Sequence, residues 1–327
     1  MKNIFQSLEW EQFKLKTGYA KSYWVEDVLV LQKKLPLGFS MLYSPMVDES
    51  TQYTVHSSQY AVHSTQYTVR STQFNERIRK IGRENNAIFY RLELNIPKTA
   101  DCGLRTADYI KSFEEMQPEH TLILDLTKSE DEILAQMKPK GRYNIKVAAR
   151  NNLTIEKSAA PGKALDDFYR LYSTTGQRHK ITFRAMKYFE SLLEILGKSG
   201  YAELFTIYLA DKSQETRDKR PLASAIILYS DQKAIYLYGA SSDQYKNLMA
   251  PYQLHFEIIK EAKAKGCTEY DFFGIAPENL PNHPWAGVTR FKKQFGGEER
   301  QIAGSYDLIF KPVMYQLFKI AEKIRRK

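Results

Sequence analysis

Five basic side chains with no acidic residue among them occupy the segment from residue 138 to residue 150. They are Lys138, Lys140, Arg142, Lys146 and Arg150. The last three are spaced four residues apart, so on a helix they would form one stripe. Such a stripe can bind nucleic-acid phosphates, and that contact would weaken as the salt concentration rises. A solvated helix face explains the same pattern, and the charges alone favour this simpler explanation.

Short motifs that mark several other enzyme classes are absent from the sequence. It contains no Gly-x-Gly-x-x-Gly, no Gly-x-x-x-x-Gly-Lys-Ser/Thr and no Gly-x-Ser-x-Gly. The six histidines have no metal-ligand spacing, and the two cysteines, Cys102 and Cys267, lie far apart. We therefore expect no metal site and no disulfide framework.

The amino-acid composition is typical of a folded protein, and the net charge favours acidic binding partners. The 327 residues suggest two domains or one enlarged domain, and 43% of them are hydrophobic. The net charge of +10 favours nucleic acid, anionic lipid or phosphorylated substrates. Glu9 and Glu11 fall where a signal peptide would need an apolar stretch, and no apolar run approaches the length of a membrane span. The sequence thus predicts a soluble, cytoplasmic protein.

A seven-residue tandem repeat occupies residues 50–74. Its units are STQYTVH, SSQYAVH, STQYTVR and the partial STQF. Only Tyr and Val recur as apolar positions, whereas a coiled coil would need Leu or Ile. Because lengthening a loop adds little closure entropy, we interpret the repeat as an expanded insert in a surface loop.

The second half of the chain alternates between strand and helix patterns. Strands are predicted at Ala202–Ala210, Leu222–Tyr229 and Lys233–Gly239, followed by a helix at Pro251–Lys265 and a strand at Glu269–Gly274. The first two strands are expected to pair across a polar turn. This order is the core of an acetyltransferase-like α+β fold, in which the helix crosses to the last strand.

Earlier elements follow the same rules. Strands are predicted at Val28–Gln32, Phe39–Tyr43, Ala87–Leu94 and Thr121–Leu126, and helices at Arg77–Glu84, Glu130–Met137, Ala164–Thr175 and Tyr188–Leu196. Thr127 or Ser129 is expected to cap the second of these helices.

The segment before the Pro251–Lys265 helix bears on the choice of acyl donor. Acetyl-CoA enzymes of this fold hold the pyrophosphate there with a glycine-rich turn whose amides point at the anion. Here the segment is DQYKNLMAPY, which has no glycine. A small CoA donor is therefore disfavoured, although the fold suits acyl transfer.

Four stretches spread over nearly the whole chain carry a family resemblance. They are Phe5–Lys14 (FQSLEWEQFK), Thr121–Glu156, Arg178–Phe189 (RHKITFRAMKYF) and Tyr270–Gly297, which ends in Gly-x-x-x-Phe-Lys-x-x-Phe-Gly-Gly. In this order they resemble the opening motif, the domain-joining segment, the substrate-binding segment and the C-terminal signature of the Fem (FemABX) peptidoglycan aminoacyltransferases. The C-terminal ending is the most specific element.

Three departures from the family pattern stand out. The Gly-Pro that often follows Tyr-x-Pro is missing from YSPMVDES, and Phe273 replaces one of two adjacent glycines. No long helical-hairpin arm separates Phe189 from Ala202, so the chain is most similar to compact, FemX-like members.

The resemblance implies an α+β fold with two acetyltransferase-like (GNAT) domains, each a mixed twisted sheet flanked by helices. The first would comprise residues 1–120 plus 304–327, with the 50–74 insert, and the second residues 121–303. Val313, Leu317 and Ile320 in the last helix are spaced to face a core. We therefore expect that helix to pack on the first domain through them.

The resemblance also implies the reaction. Family members add an amino acid from aminoacyl-tRNA to the stem peptide of a UDP-linked or lipid-linked muramyl pentapeptide, building the interpeptide bridge. No cofactor is expected. The protein is expected to be a monomer that contacts the inner membrane face peripherally. The alternatives are a CoA-dependent N-acyltransferase of the same fold and a non-catalytic RNA-binding protein. The motifs specify neither the amino acid nor the accepting stem residue.

Candidate site residues follow from the matched motifs. Lys14 and Arg184 match residues that contact the substrate diphosphate, and Tyr188 would share a helix face with Arg184. Tyr238 matches another substrate contact, although a core tyrosine would explain it as well.

Catalysis is assigned to a cation. Lys292 is our candidate for stabilising the tetrahedral oxyanion, with Phe291 packed beneath it. The family needs no dedicated general base, and Asp271 is the one residue that we would test for that role. Arg142, Lys146 and Arg150 are the candidate tRNA contacts.

Overall fold

The computed structural model describes residues 3–48, 72–98, 108–179, 184–210, 219–280 and 282–325, with the backbone alone for 177–179. The chain forms two compact units. The first unit is Phe5–Glu119 with Gln301–Lys327, and the second is Met1–Ile4 with His120–Arg300. Strands and helices are numbered along the chain.

A mixed sheet forms the centre of the first unit. Its strands are β1 (Lys21–Val25), β2 (Val28–Lys34), β3 (Ser40–Val47), β4 (Ala87–Pro97), β5 (Tyr109–Lys111) and β12 (Glu298–Ile309, of which Gln301 onward belongs to this unit). Strands β1, β2 and β3 pair antiparallel in sequence, and β3 pairs parallel with β4. Strand β12 pairs antiparallel with both β4 and β5. The helices are α1 (Leu8–Lys16), α2 (Thr72–Glu84) and α9 (Pro312–Arg325).

Most of the predicted repeat insert, residues 50–71 of 50–74, lies outside the described residues. Its predicted end is wrong, because helix α2 begins at Thr72. Phe74 is fully buried and packs with Ile78 in the core of the first unit. The last partial repeat unit therefore supplies a core residue rather than loop.

Helix α9 docks through an aromatic side chain that sequence analysis did not single out. The hydroxyl of the buried Tyr315 donates to Asp307 at 2.7 Å, and its ring lies 5.3 Å from that of Phe89. Asp307 in turn accepts two hydrogen bonds from the buried guanidinium of Arg91, at 2.7 and 2.8 Å. Burial acts to lower the pKa of Arg91, but Asp307 and Glu114 outweigh it and the pKa is raised. A buried cation paired in this way is strongly held.

The prediction that the apolar row of α9 faces a core is wrong. Val313 is 74% exposed, Leu317 53% and Ile320 57%. The opposite face, which carries Tyr315 and Phe318, is the one that packs on the sheet. Apolar spacing alone did not identify the buried face, because that face is set by the packing of Tyr315 and Phe318 on Phe89 and by the bond from Tyr315 to Asp307.

The second unit contains six strands and six helices within the described ranges. The strands are β6 (His120–Asp125), β7 (Leu153–Ser158), β8 (Ala202–Ala210), β9 (Lys219–Ser230), β10 (Lys233–Ser241) and β11 (Glu269–Gly274). The helices are α3 (Glu130–Gln136), α4 (Pro139–Ala149), α5 (Lys163–His179), α6 (Met186–Leu192), α7 (Ala250–Ala264) and α8 (Ala286–Lys292). The strand order is β7-β8-β9-β10-β11-β6.

This topology confirms the predicted core of strand, strand, strand, helix and strand. Strands β8, β9 and β10 pair antiparallel, and α7 crosses to β11, which pairs parallel with β10. One face of α7 is buried in the core through Leu254, Ile258, Ile259 and Ala262. Both units are mixed sheets with helices, so the α+β fold class is confirmed. Of the two predicted caps, Ser129 begins α3 in a capping box with Glu132.

No helix in the described parts of the chain combines the length and apolar character needed to cross a bilayer.

Candidate active site

Strand β10 carries a β-bulge that sends two of its tyrosines to opposite faces of the sheet. Tyr236 pairs with Ile227 of β9, and Tyr238 pairs with the adjacent Ile226, so Leu237 is an extra residue. Side chains alternate along a strand, and one extra residue reverses the alternation. Tyr236 therefore faces α7, whereas Tyr238 faces α5 and α6.

Tyr238 lies in a cluster of aromatic rings. Its ring centre is 5.1 Å from Phe189, 6.1 Å from Tyr188 and 6.3 Å from Tyr172. The Tyr238 hydroxyl donates to the Tyr188 hydroxyl at 3.1 Å. Tyr172 comes from α5, and Tyr188 and Phe189 come from α6, so three elements build what we call the tyrosine cluster (Tyr172, Tyr188, Phe189 and Tyr238). Hydroxyl groups at its edge can bind a polar ligand.

Arg184 lies beside this cluster. Its guanidinium carbon is 5.1 Å from the centre of the Tyr188 ring, a cation–π contact. Burial acts to lower the pKa of Arg184, but the neighbouring tyrosines Tyr188, Tyr238 and Tyr172 more than offset it and the pKa is raised. The side chain is exposed. The predicted group of Arg184, Tyr188 and Tyr238 thus comes together, although through this contact rather than a shared helix face, since α6 begins only at Met186.

Lys292 occupies a buried position on α8. It is 6% exposed, and its Nζ donates to the carbonyl of Gly274 at 2.6 Å. The Nζ also lies 5.5 Å from the ring centre of Tyr236. Burial lowers the pKa of Lys292 to about 8, and the carboxylate of Asp271 partly opposes this. An ammonium has three donors, and the Gly274 carbonyl takes one of them.

Buried polar groups surround Lys292. Nδ1 of His255 forms a 2.9 Å hydrogen bond with the Tyr270 hydroxyl, and burial, with a smaller contribution from Lys292, lowers the pKa of His255 to about 3. His255 is therefore neutral at neutral pH and is a poor general base. Asp271 accepts hydrogen bonds from the Thr121 hydroxyl and the Phe273 amide, and burial raises its pKa.

Phe291 belongs to the aromatic support of this centre. Its ring lies 5.0 Å from Tyr252 and 5.4 Å from His255. The rings of Tyr236 and His255 are 4.5 Å apart. Lys292 is therefore a buried cation beside packed aromatic rings, where a positive charge acts strongly on a nearby anion.

Comparison with known proteins places this geometry in a family. A model of the FemAB family matches residues 66–220 and 206–323. The chain belongs to the FemAB family. This confirms the family resemblance inferred from the sequence motifs, and the matched ranges include the tyrosine cluster, Arg184 and Lys292.

Similar proteins agree with this membership. The chain is 24% identical over 286 residues to a lipid II:glycine glycyltransferase of Staphylococcus aureus, covering 66% of this chain and 68% of that protein. It is 24% identical over 308 residues to the enzyme of the same name from Staphylococcus saprophyticus, covering 75% and 74%. Among solved structures, FemX superposes with a TM-score of 0.79 at 20% identity, over 96% of this chain and 94% of FemX. L-PGS from Bacillus licheniformis superposes with a TM-score of 0.54 at 12% identity, over 91% and 87%, which shows a shared fold.

The two glycines that end the C-terminal FemAB signature permit close backbone approaches. A Cβ on Gly296, whose φ is +80°, would lie 2.8 Å from the Gln136 carbonyl oxygen. One on Gly297, whose φ is +87°, would lie 2.6 Å from the Ile123 carbonyl oxygen. The glycines hold α8 against α3 and β6, and so help to position Lys292.

The turn before α7 differs from a glycine-rich phosphate loop. Tyr245 and Met249 adopt left-handed conformations there, with φ of +58° and +53°. Their side chains stand where acetyl-CoA enzymes of this fold need bare backbone amides. The structure thus gives no support to a CoA donor at this turn.

The basic segment proves to be only partly a surface stripe. Arg142 is half-buried, and its guanidinium donates to the carbonyls of Ala135 (3.2 Å) and Met137 at the end of α3. Lys146 and Arg150 are exposed. Arg142 therefore caps a helix, which leaves Lys146 and Arg150 as the residues of this stripe that are free to contact a polyanion.

Lys14 belongs to the first unit. It lies on α1, with its Nζ 5.0 Å from the ring centre of Tyr19 and 5.4 Å from that of Trp10. The Tyr19 ring stacks on Tyr43. Lys14 is therefore a half-buried lysine held over aromatic rings rather than a freely solvated one.

Of the buried groups around Lys292, Asp271 was named from the sequence, whereas His255 and Tyr270 were not. His255 is a polar residue on the apolar face of α7, and this pattern was a usable signal. Gly239 was another, because a glycine in a strand pattern marks a close approach, and in the structure a Cβ there would lie 1.7 Å from the Tyr236 hydroxyl. Within the described ranges, no group of three His, Cys, Asp or Glu side chains is placed to hold a metal ion.

Proposed function

We propose that this chain transfers an aminoacyl group to the stem peptide of a peptidoglycan precursor, and that the donor is aminoacyl-tRNA. One observation carries the proposal: the FemAB match spans the segments that supply both the Arg184 and tyrosine cluster and the buried Lys292. The curated relatives named lipid II:glycine glycyltransferases support a lipid-linked acceptor.

The chemistry is acyl transfer from an ester to an amine. The amine nitrogen attacks the ester carbonyl carbon, and a tetrahedral intermediate with a negatively charged oxygen forms. The new C–N bond remains, the C–O bond to the tRNA ribose breaks, and the amine proton ends on the released ribose oxygen. In this scheme Lys292 stabilises the oxyanion from a site with little water, where a cation is most effective.

In this scheme the exposed Arg184 and the hydroxyls of the tyrosine cluster bind the substrate. Arg184 can hold two phosphate oxygens at once, and the ring beneath it restrains its plane. Tyr188 and Tyr238 offer hydroxyls to the same ligand. The family resemblance assigns Lys14, in the first unit, a phosphate contact of its own.

The donor proposal rests on charge. The chain carries a net charge of +10, and Lys146 and Arg150 are exposed on one helix end. These residues would contact tRNA phosphates, so donor binding should weaken with salt. The scheme uses no dissociable cofactor.

The direct test is incubation of the protein with a mixture of charged tRNAs and either a UDP-linked or a lipid-linked muramyl pentapeptide, followed by mass measurement of the precursor. A mass gain equal to one aminoacyl residue is expected. Transfer from acetyl-CoA instead would favour an ordinary N-acyltransferase. RNA retention with no mass gain would favour an RNA-binding protein.

Two variants then separate binding from catalysis. Arg184→Ala should raise the apparent KM for the precursor with a smaller effect on kcat, because phosphate contacts act equally in ground and transition states. Lys292→Ala should lower kcat by about a hundredfold, the scale of one lost oxyanion donor. Lys293→Ala is the matched control, because that neighbouring lysine is paired with Glu299. Near-normal kcat in Lys292→Ala would reassign the lysine to binding.

A further inference from the structure

The apolar row of α9 that does not face the core is a continuous surface. Val313, Leu317, Ile320 and Ile324 are 74%, 53%, 57% and 69% exposed. Their spacing of four, three and four residues places all four on one side of the helix. Exposed large apolar side chains are ordinary when scattered, but four aligned along a whole helix mark an interaction surface.

Positive charge accompanies this row. Between Lys311 and Arg325 the helix region carries Lys311, Lys319, Lys323 and Arg325 against one acid, Glu322. Glu322 is paired with Arg325. The sequence then continues with two further basic residues. An exposed apolar row on a basic helix, with Lys323 at its edge, is the pattern of a helix that lies in the interface of a bilayer with anionic lipids.

A cavity next to the row adds to the apolar surface. It has a volume of about 380 Å³ and is lined by Phe113, Gln316, Lys319, Ile320, Glu322 and Lys323. Ile320 therefore belongs to both the row and the cavity wall. The Lys319 Nζ lies 5.8 Å from the ring centre of Phe113, so an ammonium is held at the cavity edge.

We propose that the row of Val313, Leu317, Ile320 and Ile324, with Lys323 at its edge, binds the surface of a bilayer that contains anionic phospholipid. The helix would lie along the membrane surface, with the four apolar side chains among the acyl chains. The stem of Lys323 would extend so that its ammonium group reaches the lipid phosphates.

A second copy of this helix fits the surface less well. In a two-stranded coil, the positions that flank the row are Met314, Gln316, Ala321 and Lys323. None of the four is acidic, so two paired helices would offer Lys323 no charge partner at these positions. A bilayer of anionic lipid supplies that negative charge directly.

Membrane binding by α9 extends the proposed function, and its biological role depends on that function. A lipid-linked precursor is confined to the membrane surface, and an enzyme held there by α9 meets it at a high local concentration. The physical claim, binding to lipid, is tested without any substrate.

The experiment is flotation of the full chain with vesicles of phosphatidylcholine alone or with added phosphatidylglycerol. The wild-type chain should float with the anionic vesicles. The double variant Leu317→Asn, Ile320→Asn should bind at least about tenfold more weakly, because two apolar side chains no longer enter the bilayer. Lys323→Gln should bind about fivefold more weakly to anionic vesicles, the scale of one charge near the surface. Leu8→Asn, at a residue 61% exposed on α1, is the matched control and should float like the wild type.

Each outcome decides the proposal. Unchanged thermal unfolding of the double variant shows that lost flotation is not lost folding, which is expected because both side chains are more than half exposed. Equal flotation of the double variant and the wild type overturns the proposal, as does a wild-type chain that ignores anionic vesicles. A dimer in sedimentation that the double variant abolishes, without flotation, would assign the row to self-association instead.

A transfer assay keeps the two proposals distinct. If the proposed function holds, the double variant should lower the ratio of transfer to lipid-linked precursor in vesicles over transfer to UDP-linked precursor. If no transfer occurs with any precursor, the proposed function fails, but the flotation result still decides the lipid inference.

Discussion

Replacing Lys292 by Met should stabilise the protein at neutral pH while it removes activity. The folded-state pKa of Lys292 is lowered from 10.5 to about 8 because the side chain is buried. A group whose folded pKa is lowered binds protons more weakly in the folded state than in the unfolded state. Its charged form therefore opposes folding below about pH 8, and stability rises with pH between about 8 and 10.5.

The magnitude follows from that shift. A lowering of about 2.5 pKa units corresponds to about 3 kcal/mol of unfolding free energy at pH 7, and about 1 kcal/mol of it remains at pH 10. Met has a similar length and carries no charge. It loses the hydrogen bond to the Gly274 carbonyl, worth about 1 to 3 kcal/mol, which offsets part of the gain at pH 7.

The assay is urea unfolding of the wild type and Lys292→Met at pH 7 and pH 10. The stability of the variant relative to the wild type should fall by about 2 kcal/mol between the two pH values. Lys293→Met is the control, because pairing with Glu299 raises the pKa of Lys293 and gives it no such penalty. A relative stability of Lys292→Met that stays constant with pH would refute the argument that Lys292 is held charged at an energetic cost.

Three further predictions concern the scaffold. Phe273 has a φ of +58°, a left-handed conformation that glycine adopts more easily than alanine. Phe273→Gly should therefore be more stable than Phe273→Ala by about 1 kcal/mol in thermal unfolding, the reverse of the usual order. A more stable Ala variant would contradict the left-handed conformation. Arg142→Ala should lower the unfolding free energy by about 1 to 2 kcal/mol, because the carbonyls at the end of α3 lose their donor. Lys146→Ala should change the unfolding free energy by no more than about 0.5 kcal/mol, but should weaken tRNA binding in filter assays at low salt. Deleting residues 50–70 should leave folding and transfer largely intact, because the last partial unit begins α2; cooperative loss of circular dichroism would place the repeat in the core.

Local pattern predicted most of the second unit. Strand alternation and one long amphipathic helix gave β8, β9, β10, α7 and β11 nearly to their ends, because each element there is regular and buried on a definite face. The bulge at Leu237 was outside the reach of such reasoning, since one extra residue leaves the apolar pattern almost unchanged. Yet that residue decides which face of the sheet Tyr238 occupies.

The sequence predicted which residues form the candidate site, but not which groups surround them. Motif matching pointed to Arg184 and Lys292, and their surroundings emerged only from packing. The neutral His255 and the Gly274 carbonyl meet Lys292 from separate elements. The prediction of the buried face of α9 was wrong for a related reason. That face is decided by Tyr315, which bonds to Asp307, and Asp307 in turn pairs with the distant Arg91, so apolar spacing within the helix does not reveal it.

Several features that lower stability lie together at the end of β11. Their proximity suggests that they are kept for function. Phe273 holds a backbone conformation that favours glycine, and the pKa values of Asp271 and Lys292 are shifted toward their neutral forms by burial. Each feature could be relieved by a single substitution, such as Phe273→Gly or Lys292→Met. Strain and desolvated charge persist together where a site gains from them, because a pre-oriented cation in a dry environment needs little reorganisation when an anion forms beside it. Under the proposed function, these residues of β11 and α8 would lower stability and at the same time prepare Lys292 to stabilise an oxyanion.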